Sequence, residues 1–447
     1  MKPAVLALAS LFVLSAALMA AAQSGPSPAA TSTRLTLADA LAEAEANAPA
    51  IKVAAGQRDA ATWRATAASR SRFGQADLVV SYSRYQDDQI LRPMASELFG
   101  PQGLLGLPFD RDQLHYGIVY QVPLYAGGRL DAANRSAVLQ ADQAALLVQG
   151  TRWEVRAAVE SLYAATVSLD AWHRAVQGTR EALEATRRRL ALAVEQGKRP
   201  RLDLLKVEEE LADAVSRDAQ VSAEASRTRA LLLAAIGRDP SATVDLEPLP
   251  DAEPQAVVPE KDLVGLVRGS SVVSRGSSQV AQAEQATRIA RAALLPSVSV
   301  RGNLMGNNAL GLDQRMATWE FSVGVTMPVF SAGARQADVA TARAQERASR
   351  AAADRTALDR RALLVEAQAR LRAAVEAWRA AHARVGSAKE AARIEQIRYD
   401  SGASTVEDLL RARAREEAAA AALAQARGDM TAAAGRLNAV CETEVVK

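Results

Sequence analysis

Cysteine and aromatic residues are the scarcest features of this 447-residue sequence. Its single cysteine, Cys441, excludes a disulfide within the chain, and we expect it to lie near a mobile C-terminal end. Aromatic residues account for only 4% of the chain although 49% of it is hydrophobic, because much of the apolar total is alanine. Alanine packs helices closely but fills little core volume, so the composition favours long, closely apposed helices over a large globular core.

A clustered charge of one sign is also missing. The chain has 54 basic and 51 acidic residues, a net charge of +3, with both signs interspersed. This pattern argues against a nucleic-acid partner, which requires a basic face. The histidines His115, His173 and His382 are isolated from one another, and neither a metal-ligand spacing nor a Gly-x-Ser-x-Gly nucleophile motif occurs. We therefore predict no catalytic residue, no metal site and no cofactor.

The N-terminus has the pattern of an export signal. Lys2 precedes an apolar stretch that ends in small residues at Ala22, which predicts a cleaved signal peptide over residues 1–22 and a linker over residues 23–34. A retained membrane anchor is the alternative, disfavoured by two serines in the stretch and by the missing basic flank. No cysteine near the cleavage site offers a lipid attachment point, and no later stretch reaches the ~20 apolar residues of a membrane helix.

Proline clusters divide the rest of the chain, because proline interrupts helices and is excluded from central strands. The densest cluster lies in a predicted linker over residues 240–259. It separates a first repeat at residues 35–239 from a second repeat at residues 260–440. A short tail at residues 441–447 follows the second repeat.

Two long tracts contain no proline, Leu124–Arg199 and Val329–Lys447, and both are rich in strong helix formers. In the second tract a large apolar residue recurs every seven positions, with an alanine three residues after each one. This alternation of large and small residues predicts a coiled-coil seam. The large residues are Leu364, Leu371, Trp378 and Val385, and the alanines are Ala367, Ala374, Ala381 and Ala388.

Ahead of each helical tract the periodicity changes to an alternation of apolar and polar residues, which predicts β-strands. Each of these strands has an upstream partner, so each half contains one hairpin. The connecting loops, expected around Tyr85–Asp112 and Leu304–Ala317, resemble the outer loops of membrane hairpins. The apolar positions are Leu78, Val80, Tyr82, Leu114, Tyr116, Ile118, Tyr120 and Val122 in the first half, and Val298, Val300, Trp319, Phe321, Val323, Val325 and Met327 in the second.

The two halves also match by residue at a strand-to-helix junction and at a later turn. At the junction, Pro123-Leu124-Tyr125-Ala126-Gly127-Gly128-Arg129 corresponds to Pro328-Val329-Phe330-Ser331-Ala332-Gly333-Ala334-Arg335, with one inserted residue. About 70 residues later, Gly197 with Asp203-Leu204-Leu205 corresponds to Gly402 with Asp408-Leu409-Leu410, and Trp172 corresponds to Trp378. The sequence therefore predicts a tandem duplication of helix, hairpin, long helix, turn and helix.

Four strands cannot close a barrel alone. An open edge in lipid leaves backbone groups without partners, and spanning barrels begin at eight strands, so closure requires other copies of the chain. A dimer would supply eight strands and a trimer twelve. The helix predicted between Gly128 and Gly197 would be about 100 Å long at 1.5 Å per residue, which suits a device that crosses most of the periplasm.

The paired junctions and turns resemble those of the TolC-type outer-membrane efflux family, and the resemblance covers nearly the whole mature chain. It implies a mainly α protein with β structure, in which a homotrimer forms a twelve-stranded outer-membrane barrel continued by a periplasmic coiled-coil tunnel. It also implies a passive duct of a tripartite efflux or type I secretion system. The partners would be outer-membrane lipid, a periplasmic adaptor and, through that adaptor, an inner-membrane transporter.

The resemblance places adaptor docking and the tunnel entrance at the two turns. Asp203 and Asp408 match the family's tip aspartates, and Arg411 replaces the next entrance acid, so a double acidic ring is not expected. Both aspartates also suit the first turn of a helix, where the macrodipole and capping favour acidic residues, and the two roles are compatible. The docking residues are Gly197, Arg201, Asp203, Leu204, Leu205, Gly402, Asp408, Leu409 and Leu410.

Other classes of protein fit less well. The Gly127-Gly128 junction between a strand and a helix lacks the glycine spacing of a phosphate-binding loop and recurs in the second half, which favours a simple bend. The main alternative is a secreted coiled-coil adaptor or scaffold. Such proteins normally carry one helical hairpin, whereas this chain has two, each preceded by strands with one apolar face. We do not expect an enzyme.

Overall fold

The computed structural model describes residues 34–91, 109–311 and 314–446. The predicted signal peptide and almost all of the predicted N-terminal linker lie outside the described residues. Among the described residues, none of the helices combines the length and the apolar character needed to cross a membrane.

Two repeats of equal construction make up the described chain. The second helix of each repeat has 22 residues, the third 67 and the fourth 36, the equality of length that a tandem duplication predicts. The first repeat contains α1 (Leu37–Asn47), α2 (Pro49–Arg70), a short 3-10 helix (Ser71–Phe73), β1 (Gln75–Ile90), β2 (Phe109–Ala126), α3 (Arg129–Glu195) and α4 (Arg201–Ile236). The second contains α5 (Glu260–Arg268), α6 (Ser271–Ala292), β3 (Ser297–Ala309), β4 (Gln314–Thr326), α7 (Ala334–Asp400) and α8 (Val406–Cys441).

The structure corrects two details of the match between repeats. Gly128 and Gly333 both precede the first residue of a long helix, with φ near 81° and 82°, so the junctions align without an insertion. Arg335 is therefore the second residue of α7, whereas Arg129 is the first residue of α3. The equal helix lengths likewise place Trp172 one position out of register with Trp378.

The strands form one antiparallel sheet in the order β1-β2-β3-β4. Its register brings apolar residues of all four strands to one face: Leu78 pairs with Ile118, Ile118 with Leu304, and Leu304 with Trp319. The predicted apolar face is thereby confirmed, and its side chains are exposed in the single chain, with Leu78 77% and Trp319 79% exposed.

The strands are longer than the sequence pattern predicted. β1 continues to Ile90 and β2 begins at Phe109, while β3 and β4 leave only a short gap after Ala309. Most of the described residues of the two expected loops therefore lie in strands, and residues 92–108 and 312–313 lie outside the described residues. The outer ends of β1 and β2 are rich in Asp, Arg and Gln, so they lack the apolar alternation on which the prediction was based.

The helices form two stacked layers that share α3 and α7. In the layer next to the sheet the packing order is α2, α3, α6, α7, and in the other layer it is α4, α3, α8, α7. The predicted coiled-coil seam packs α7 against α8, and its residues are buried or half-buried, as at Leu364 and Ala367. The seam is confirmed.

The proline-rich linker and the C-terminal segment both pack against the helices where the two layers meet. Leu246 of the linker forms an isolated β-bridge with Leu35. Tyr163 of α3 donates hydrogen bonds to the backbone oxygens of Leu35 and Glu247, at 2.9 and 2.8 Å. The C-terminal Val446 pairs with Ala256. The expectation of a mobile C-terminal end is wrong for the described residues, because apolar side chains from α5, α7 and α8 cover this end.

Glu442 ties three helices together just beyond the end of α8. Its carboxylate, 3% exposed, accepts hydrogen bonds from the backbone N–H and the hydroxyl of Ser271, each at 2.8 Å, and so caps the start of α6. Arg360 of α7 lies 3.5 Å from the same carboxylate and donates to the backbone oxygen of Ala439. Both side chains are largely shielded from water, and this burial lowers the pKa of Arg360.

Candidate functional site at the tips of the helical hairpins

The turn between α3 and α4 depends on a glycine in the left-handed conformation. Gly197 has φ near 69°, and its N–H donates to Val194 at 2.9 Å while the N–H of Lys198 donates to Ala193 at 2.8 Å. These two bonds form a Schellman motif, which ends a helix and satisfies its last carbonyl groups. The chain therefore reverses within the few residues between Glu195 and Arg201.

The turn between α7 and α8 repeats this geometry. Gly402 has φ near 78°, its N–H donates to Tyr399 at 3.0 Å, and the N–H of Ala403 donates to Arg398 at 2.8 Å. A Cβ at Gly197 or Gly402 would meet no atom within 4 Å, so the backbone conformation alone selects glycine here.

The two tip aspartates differ in their partners. The N–H of Asp203 donates to the backbone oxygen of Pro200 at 3.1 Å, without a side-chain cap for α4. Asp408 accepts a hydrogen bond from the hydroxyl of Thr405 at 2.7 Å, and that hydroxyl accepts from the N–H of Asp408. The bond from Thr405, aided by Arg411 at 3.5 Å, holds the pKa of Asp408 below its usual range. Asp408 thus takes part in capping α8.

The four predicted tip leucines lie in different environments. Leu409 is only 2% exposed and belongs to a core cluster between α3, α4, α7 and α8, against which Leu204 and Leu410 are partly buried. Leu205, in contrast, is 49% exposed. Leu202, which the sequence pattern did not single out, is 60% exposed beside it. The exposed apolar surface at this end is therefore supplied by α4 together with Leu192 of α3 and Ile397 of α7, which are 59% and 55% exposed.

Contacts between the two hairpins at the tip were missed by the sequence analysis. The guanidinium of Arg199 lies 5.0 Å from the ring centre of Tyr399, a cation–π contact. Arg189 of α3 pairs with Asp400 of α7 at 3.3 Å, and a similar ion pair joins Lys206 of α4 to Glu407 of α8 at 3.3 Å. An aromatic residue close to a turn was the only available signal, since partners 200 or more positions apart leave no local pattern. Arg201 itself is exposed.

The sequence profile of the family described as outer membrane efflux protein matches residues 40–238 and 274–441, which together are most of both repeats. The chain belongs to this family. Its members are channels of the outer membrane, so this outer membrane efflux protein resides there, extends into the periplasm and has the general role of an efflux channel.

Solved structures of similar fold agree with this assignment. The outer membrane protein VceC from Vibrio cholerae is 17% identical, with a TM-score of 0.73 over 91% of this chain and 96% of that chain. The CmeC outer membrane channel of Campylobacter jejuni is 16% identical, with a TM-score of 0.78 over 92% of this chain and 86% of that one. The MtrE outer membrane channel of Neisseria gonorrhoeae, in an open state, is 17% identical, with a TM-score of 0.72 over 92% and 89%. No curated protein sequence matches the chain.

The histidines of this efflux protein have separate polar partners. His115 lies 2.8 Å from the amide oxygen of Asn307, and His173 lies 2.8 Å from the carboxylate of Asp218. In the described ranges, no group of three or more His, Cys, Asp or Glu side chains is arranged to hold a metal ion.

Proposed function

We propose that the chain is one protomer of a homotrimeric export duct with a shared twelve-stranded barrel. The observation that carries this proposal is the four-stranded sheet. Its outer strands β1 and β4 each have one edge unpaired among the described residues, and one face of the sheet is apolar and exposed. In lipid such edges must pair, because unsatisfied backbone groups cost several kcal/mol each. Three copies would pair β4 of one protomer with β1 of the next and present the apolar faces to outer-membrane lipid.

The helical layers support the same assembly. α3 and α7 each span 67 residues, about 100 Å at 1.5 Å per residue. The edge helices α4 and α7 have one side on which no other described helix packs. Leu358 and Val365 on α7 are 63% and 65% exposed, which favours a neighbouring protomer at this edge. The barrel would thereby continue into a tunnel that crosses much of the periplasm.

At its far end the duct would carry six hairpin turns, two from each protomer. We infer that these turns dock a periplasmic adaptor and, through it, an inner-membrane transporter of a tripartite efflux or type I secretion system. Leu202 and Leu205 supply exposed apolar surface for such contacts. The ion pairs from Arg189 to Asp400 and from Lys206 to Glu407 would have to rearrange if the two hairpins part when the duct opens.

The assembly is tested by extraction and mass. A duct requires detergent for release from membranes and then gives the mass of three chains, whereas a coiled-coil scaffold is released by a salt wash. Native mass spectrometry of the detergent-extracted protein measures the stoichiometry directly. A stable monomer that spans the membrane would contradict the proposal.

A role for Asp408 at the tunnel entrance is tested separately. Asp408→Ala should alter the cation preference of single channels in planar bilayers if the side chain lines the entrance. Asp408→Asn keeps an oxygen that accepts from Thr405, so a change of selectivity shared by both variants reports charge and not capping. Unchanged conductance and selectivity in both variants would leave Asp408 as a capping residue only.

A further inference from the structure

A groove of about 870 Å³ lies between α4 and α8, with α3 as its floor. The floor is apolar and is formed by Leu162, Leu169 and Trp172, with Leu231 of α4 at one side. Trp172 is 36% exposed, so its ring is open to the groove. The wall on α8 consists largely of alanine. This volume and lining are those of sites that hold small organic molecules.

The groove lies on the opposite side of α3 from the core that α3 shares with α1. Tyr163 belongs to that core, and Trp172, nine residues further along, is turned about half a circle from it at 100° per residue. The groove therefore faces away from the packing that holds the linker and the N-terminal segment, and it adjoins that packing at Leu162.

Glu417 is the group at this groove whose bonding is incomplete. Its side chain is only 9% exposed, and its nearest cation is the Nε of Arg217, 3.6 Å from Oε1. The Nη2 of Arg217 donates a hydrogen bond to Glu210 at 2.9 Å, while its Nε is buried without a hydrogen-bond partner among the described residues. The second oxygen of Glu417, Oε2, is buried without a hydrogen-bond partner among the described residues. A buried carboxylate in this state is costly unless a donor or a cation approaches it.

The charges around the groove favour a cation. Glu224 pairs with Arg227, and Glu210 shares Arg217 with Glu417. The four carboxylates Glu210, Glu224, Glu417 and Asp429 thus face two guanidiniums, Arg217 and Arg227, which leaves a formal charge of −2. Asp429 has no ion-pair partner in the part of the chain that the structure describes, and burial raises the pKa of its carboxyl.

We propose that this groove binds an amphipathic organic cation, with its apolar body against Trp172 and Leu169 and its charged group near Glu417. The face of the tryptophan ring attracts a cation. The Oε2 of Glu417 can accept a hydrogen bond from the charged group or form an ion pair with it. If the chain is an export duct, the same cations are a class of its cargo, and this assignment of cargo rests on the proposed function. Binding itself is a property of three helices of one protomer.

The test is a fluorescence anisotropy titration of ethidium with the purified full-length protein in detergent at low salt. Glu417→Gln keeps the size of the side chain and removes its charge, so we expect ethidium binding at least about tenfold weaker, equivalent to the loss of about 1.4 kcal/mol. Glu416→Gln is the matched control, because Glu416 pairs with Arg413 at 3.0 Å and does not line this groove. It should bind ethidium like the parent.

Two further measurements keep the test decisive. Trp172→Leu preserves an apolar floor without the ring and should weaken ethidium binding severalfold, with unchanged helicity by circular dichroism. The anionic dye 8-anilinonaphthalene-1-sulfonate should bind the parent weakly and Glu417→Gln more tightly. Equal ethidium affinity in the parent and Glu417→Gln, an equal loss in Glu416→Gln, or equal binding of both dyes would overturn the proposal.

The outcomes separate this proposal from that of the duct. A detergent-requiring trimer that binds no ethidium would overturn the groove and leave the duct intact. A salt-extractable monomer that binds ethidium through Glu417 would retain the groove and overturn the duct.

Discussion

Phe321 offers a sharp test of which sheet face meets lipid. β4 spans 13 residues, Gln314–Thr326, so its middle residue is Glu320. At about 3.3 Å per residue and a tilt of about 40°, each residue advances about 2.5 Å along the membrane normal. Phe321 then lies about 2.5 Å from the middle of the strand, and Val323 about 7.5 Å from it. Trp319 and Phe321 are therefore the lipid-facing positions of β4 nearest the midplane.

The depth sets the expected cost of a charge. Arginine on the lipid face costs about 2–4 kcal/mol at the midplane and about 0–1 near the interfaces. We therefore expect about 2–4 kcal/mol for Phe321→Arg and about 1–2 kcal/mol for Val323→Arg. Phe321→Ala is the control for the lost ring, because the difference between the arginine and alanine variants isolates the charge.

Ser322 is the comparison on the opposite face. It pairs with Arg301 of β3, so Ser322→Arg would place like charges opposite each other at a cost of about 0.2–1 kcal/mol. Ser322→Glu would place an opposite charge there and should cost little or nothing. The assay is urea unfolding of the protein reconstituted in lipid vesicles, with the amount of trimer in outer membranes as a second measure. If Ser322→Glu is as damaging as Phe321→Arg, the assignment of the faces is wrong.

Gly402→Val should reduce export without loss of trimer, because a side chain at this left-handed position costs about 1–2 kcal/mol and the strain is confined to the turn. Normal export by this variant in cells that lack their own duct would refute the prediction. Glu442→Gln should lower the free energy of unfolding by up to about 3–5 kcal/mol because it removes the carboxylate nearest to the buried Arg360, and adding Arg360→Met should recover part of the loss in a double-mutant cycle. Gly386→Ala should stabilise α7 by up to about 1 kcal/mol, seen as a higher midpoint of thermal unfolding by circular dichroism, since a Cβ there meets no atom within 4 Å. Cys441 should resist maleimide until the protein is denatured, because burial raises the pKa of its thiol to about 11; rapid labelling of the native protein would contradict its burial.

Much of the architecture could be predicted from the sequence because its signals are local. The period of two along β4 and the seven-residue repeat along α7 depend only on neighbouring residues, so the one-sided strands and the coiled-coil seam were identified correctly. The turns at Gly197 and Gly402 were located for the same reason, since a left-handed backbone conformation selects glycine whatever surrounds it.

Contacts between distant parts of the chain were decided only by the tertiary structure. Leu205 and Leu409 look alike in sequence, yet one is exposed and the other buried, because burial depends on how α3, α4, α7 and α8 pack. Strand length was missed because the polar outer end of β1 pairs through its backbone, which leaves no apolar alternation. The incomplete bonding of Glu417 likewise arises only when α4 and α8 meet across α3. The period of each segment fixes which face is apolar, but only packing fixes which side chain that face meets.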